Sequence, residues 1–149
     1  MILDERTEFA DATALSTAGT GLALVGDVYD AGVARNVGNG KPLYLVIQIT
    51  TAVTSGGAAT VEFQLVSDAA AAIAVDGSAS VHAKSAAIAK ATLIAGFTVI
   101  LPVPPEAGVS YELFLGILQN VGTAALTAGA INAFFTTDVK QWKALADGI

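Results

Sequence analysis

The chain holds one histidine, His82, and no cysteine, which leaves little from which to assemble a reactive centre. Zinc is commonly held by several His and Cys ligands. One His without Cys cannot supply that set, and no HExxH spacing is present. His82 therefore reads as a strand or loop residue. A Ser-His-Asp triad is assembled in space, so spacing alone neither supports nor excludes one. No serine, however, lies in the G-x-S-x-G elbow that presents such a nucleophile. Gly19-Thr20-Gly21 begins like a dinucleotide fingerprint but lacks its third glycine and a βαβ setting. Gly40-Lys41 resembles the end of a P-loop, yet Pro42 replaces the hydroxyl that would hold magnesium. The acids follow no calcium-loop pattern, and nothing in their spacing favours a glycosidase pair. The expectation is a chain with no catalytic residue, no cofactor and no metal.

Two features suit contact rather than catalysis. Met1 to Asp11 sets Ile2, Leu3 and Phe9 among Asp4, Glu5, Arg6 and Glu8. It reads either as a frayed or edge strand or as an arm that docks on a neighbour, because termini order only when something ties them down. Trp142, flanked by Lys140 and Lys143, is either a cap over the core or an interface anchor, a role in which Trp is enriched.

The elements that would carry these residues are short apolar runs between Gly, Pro and Asn. Leu43 to Thr50 is rich in β-branched and aromatic residues, with Leu43, Leu45, Ile47 and Ile49 on one face. In Thr60 to Ser67, Val61, Phe63 and Leu65 face one way and Glu62 and Gln64 the other, the alternation of a half-buried strand. Phe97 to Val103, Tyr111 to Leu118 and Ala130 to Thr136 are further strands. Turns are expected at residues 38–42, 54–58, 119–122 and 127–129. Asp68 to Val75 is either a helical turn capped by Asp68 or a loop before Asp76-Gly77, and Ala83 to Ala91 is equally open. Asp138 to Ala146 has the start of a capping box, so a short C-terminal helix or an extended tail closes the chain. Strands at this spacing indicate a β-sandwich, jelly roll or barrel.

Composition fits one domain: 149 residues, 54% hydrophobic and 13% charged, against about 25% charged in typical domains. A surface so poor in charge stays soluble more easily when a partner covers part of it. The net charge of −6 is opposite to that of nucleic-acid binders, so no nucleic-acid partner is expected. Two uncharged stretches, Pro42 to Val61 and Leu113 to Thr137, reach spanning length but contain polar and turn residues, so no membrane span is expected. The charged start has no apolar signal-peptide core, and the absence of Cys suits assembly in a reducing cytoplasm.

The start MILD, the segment GNGKPLYLVIQIT, the run AKATLIAGFTVILPVP and the ending YELFLGIL…LTAGAINAFFTTD, in that order, resemble the jelly-roll capsid cement (decoration) proteins of tailed bacteriophages. The resemblance implies an all-β, jelly-roll-like β-sandwich, which as a single domain covers 1–149; the residues themselves offer 1–11 as a docking arm and 138–149 as a tail. The resemblance also implies a virion protein, made in the host cytoplasm, that sits on the outer capsid surface as a homo-oligomer (dimer or trimer) and reinforces the major capsid protein. The candidate interface comes from the residues themselves: Ile2, Leu3, Phe9, Lys140, Trp142 and Lys143. The alternative is a jelly-roll module of the virion that binds a receptor or glycan through Tyr29, Tyr44, Tyr111 and Trp142.

Overall fold

The computed structural model describes residues 5–35, 41–105 and 110–139. After a 3₁₀ turn at Glu5–Thr7 come β1 (Glu8–Ala14), β2 (Gly21–Asp30), β3 (Leu43–Ser55), β4 (Thr60–Asp68), β5 (Ser80–Lys84), the two-residue β6 (Ile88–Ala89), β7 (Thr98–Val103), β8 (Phe114–Gly122) and β9 (Leu126–Thr136). All pairs are antiparallel. One sheet has the order β1-β9-β3-β7 and the other β2-β8-β4-β5, with β6 added beside β4. With the short β6 set aside, that interleaving of early and late strands in both sheets is the double Greek-key order of a jelly roll.

The core lies between the sheets. Leu45, Ile47 and Ile49 of β3 meet Val61, Phe63 and Leu65 of β4, Leu115 and Ile117 of β8, and Ile131 and Ala133 of β9. Each of the larger side chains contributes roughly 1.5–3 kcal/mol by leaving water. Alternation selects these residues, since every second side chain of a strand faces the same way.

The sheet that contains β4 is covered on its outer side as well. Val66, Leu118, Ile73 and Ala79 form a second apolar cluster beneath the connection from β4 to β5. The half-buried reading of β4 therefore holds for its start only, and Gln64 and Val66 are buried too. The Ala-rich stretch at 69–75 is a loop rather than a helical turn. Asp68 Oδ1 accepts the Ala70 N–H and Oδ2 the Ala74 N–H. An isolated turn of helix is costly to nucleate, whereas this loop folds onto Ile73 and closes through Gly77 at φ +92°.

Several boundaries differ from the sequence expectation. Gln119-Asn120-Val121-Gly122 continues β8, and the chain turns after it, where Thr123 takes φ +71°. Residues 127–129 lie inside β9, where irregular register against β3 absorbs Gly129. β2 has no counterpart in the sequence expectation. Its register against β8 shifts between Val25 and Tyr29, and Gly26 sits in that irregularity at φ +75°. A Cβ on Gly26 would stand 1.9 Å from the Phe9 carbonyl oxygen, so β1 and β2 touch backbone to backbone here.

Of the two readings of residues 1–11, the edge strand holds from Glu8 onward, since β1 lies at the edge of its sheet, and Phe9, a candidate interface residue, lies in the core instead. It is 1% exposed and packs edge-on against Phe135, with ring centroids 4.9 Å apart. The pairing of β1 with β9 turns Phe9 inward, where burial outweighs exposure on an arm. Ile2, Leu3, Lys140, Trp142 and Lys143, with the helix or tail expected from Asp138 onward, lie outside the described residues or extend beyond them.

Candidate functional site

A connected set of polar side chains gathers at the Ser67 end of β4. Alternation along β4 puts Ser67 on the core side after Val61, Phe63 and Leu65. His82 comes from β5, the edge strand beside it. Tyr111 and Glu112 come from the segment that leads into β8. The Ser67 hydroxyl is 2.6 Å from His82 Nε2 and accepts the Glu112 N–H at 3.0 Å. The His82 and Tyr111 rings stack at 3.9 Å with 16° between planes. Tyr111 donates its hydroxyl proton to the Pro104 carbonyl. Ser80 donates to Glu112 Oε1 at 2.8 Å.

The electrostatics follow from enclosure. Burial lowers the His82 pKa below its ordinary value, and the Glu112 carboxylate opposes this in part. Burial pushes the Tyr111 phenol up to about 12. His82 Nδ1 is enclosed and has no hydrogen-bond partner.

A serine hydroxyl on a histidine nitrogen is the first contact of a catalytic triad, but two features depart from one. The third member of a triad orients the histidine through its other nitrogen. Here the nearest carboxylate, Glu112, takes the Ser80 hydroxyl instead. Ser67 is also 0% exposed, so its oxygen meets no substrate-sized space. The network pairs the buried Ser67 Oγ, His82 Nε2 and Glu112 N–H, as buried polar groups require, and leaves His82 Nδ1 as its one unpaired atom. Sequence reasoning placed Ser67 in a strand but had no signal to join it to residues 15 and about 45 positions away in the chain.

A second feature is an open cleft of about 460 Å³ beside the 3₁₀ turn and β2, lined by Glu5, Glu8, Asp27 and Asp30 with Arg6 and Tyr29. Burial, then the charges of Asp11, Glu5 and Asp27, raise the Glu8 pKa. Among the described residues, no group of three or more His, Asp or Glu is placed to hold a metal ion. No helix among them is long and apolar enough to cross a membrane.

The tyrosines proposed for a glycan groove are not brought together. Tyr111 is buried, whereas Tyr29 and Tyr44 lie on different sheets, and Trp142 is outside the described residues. Exposed apolar side chains are scattered instead: Val33, Val75, Val81, Ile94 and Ile100.

No curated protein matches the chain. The sequence profile of the family Bbp16 matches residues 9–135, from the second residue of β1 to the last but one of β9. A match over that whole sandwich places the chain in the phage-associated Bbp16 family, to which it belongs.

Proposed function

We propose that this chain is a virion structural protein that binds the outer surface of a phage capsid and cements major capsid protein subunits together. The observation that carries this reading is membership of a phage-associated family across the entire jelly roll. The Ser67–His82 network supports a non-enzymatic role, since its hydroxyl is enclosed and lacks an orienting acid. A surface with few charges and exposed Val33, Ile94 and Ile100 suits burial against subunits or against further copies of the chain. As a dimer or trimer it would grip several identical capsid subunits at once and gain avidity from modest individual contacts. Its net charge of −6 suits a surface away from the packaged genome.

The test is the heat stability of particles assembled without this protein. Depleted particles are expected to release their genome at a lower temperature than complete ones, and added protein restores the difference. Identical release curves would reject the cementing role.

A further inference from the structure

We propose that His82 is an acid-sensitive latch that holds the edge strand β5 on its sheet and releases it when the imidazole takes up a proton. The latch is built from geometry. β5 is five residues long and pairs along one side only, with β4. Its Val81 side chain is 40% exposed, so apolar burial on that side is slight. His82 is its buried anchor, 7% exposed, hydrogen-bonded to Ser67 of β4 and stacked on Tyr111.

The proton inventory gives the switch its direction. A neutral imidazole carries one N–H and one lone pair, and Ser67 Oγ can serve either at Nε2. The protonated ring carries two N–H groups. Nε2–H donates to Ser67 Oγ, but Nδ1–H points into an enclosed space with no acceptor. A buried charged donor left unpaired is strongly disfavoured.

The groups that face the ring are few. Glu112, from the segment before β8, is the anion that favours the charged form, and its carboxylate is engaged by Ser80. Tyr111, from the same segment, stays neutral far above physiological pH. Ser67 is the facing group of β4, and β7, which packs beside β5, has no titratable side chain. Burial outweighs Glu112, so the folded pKa lies below the 6.5 of a free imidazole. The open strand therefore binds the proton more tightly than the closed one. The latch holds fully above pH 6.5 and loosens as pH falls from 6.5 toward the lowered value. Within that window the opening constant rises by up to about tenfold per pH unit.

The experiment is amide hydrogen exchange of the full chain between pH 7.5 and 4.5, corrected for intrinsic rates, comparing β5 with β3. Opening of β5 is expected to increase below about pH 6.5 by up to about tenfold per unit while β3 stays protected. His82→Gln is expected to abolish that dependence. Because His82 is the only histidine, its imidazole resonances report the site directly and should titrate below 6.5. Should the Gln variant not fold, Glu112→Gln reads the same coupling: loss of the anion extends the rise in β5 opening to lower pH. Exchange in β5 that tracks β3 at every pH, or a His82 midpoint at or above 6.5, would overturn the latch.

Discussion

Gly26→Ala is the substitution whose cost can be worked most directly from the structure. The added Cβ would stand 1.9 Å from the Phe9 oxygen, 2.9 Å from the Phe9 carbonyl carbon and 3.2 Å from the Ala10 Cβ. Two of these atoms are backbone of β1, so no rotamer change can relieve the clash, and β1 must move from β2. The left-handed φ of +75° adds about 1–2 kcal/mol for a residue with a Cβ. Overpacking adds about 1–3 kcal/mol. The sum, roughly 2–5 kcal/mol, is a large share of the 5–15 kcal/mol typical of a domain. At about 2–4 °C per kcal/mol for a chain of this length, the melting temperature should fall by roughly 4–20 °C. Gly32→Ala is the control. Gly32 has nearly the same φ, +73°, and open space around it, so it should show only the conformational part. Thermal and urea unfolding of both variants gives the comparison. Equal losses would refute the close approach of β1 to β2.

Three further outcomes are expected. A Cβ on Gly116 would lie 2.5 Å from Ile73 Cδ1, so Gly116→Ala should destabilise, and Ile73→Val in that background should recover part of the loss, because it removes the clashing methyl. Additive costs in urea unfolding would disprove that contact. Ser67→Ala leaves both His82 Nε2 and the Glu112 N–H without their partner, which should cost about 1–3 kcal/mol; an unchanged denaturation midpoint would contradict the buried network. Asp68 is held below the usual carboxylate range by the N–H groups of Ala74 and Ala70, so its support of the loop is present above the unfolded pKa and lost as pH falls through the folded one. Exchange protection of the Ala74 amide should fall over that acid range and be weaker in Asp68→Asn at neutral pH.

Legibility in the sequence tracked local periodicity. β4 was readable because Val61, Phe63 and Leu65 alternate with Glu62 and Gln64, and β3 because β-branched residues crowd Leu43 to Thr50. β2 was not, because Gly21, Gly26, Asp27 and Asp30 interrupt its pattern, and Gly26 is explained only by β1 crossing it. Phe9 read equally as an edge-strand or an arm residue because its polar neighbours hid a pairing with β9, more than 120 residues later. The covering of β4 by Ile73 was likewise invisible, since the Ala-rich loop shows no period and its partner Leu118 is distant. The Ser67–His82–Tyr111 cluster joins three elements, and no local signal links them. One trace was present: Ser67 falls in register with the core residues of β4, where a hydroxyl needs a buried partner.

Co-sedimentation of the purified chain with mature capsid shells stripped of it tests the cementing role most directly. Saturable binding at a fixed ratio to the major capsid protein is the predicted result, and the ratio identifies the symmetry sites occupied. A protein that remains folded in the supernatant at every shell concentration would contradict it.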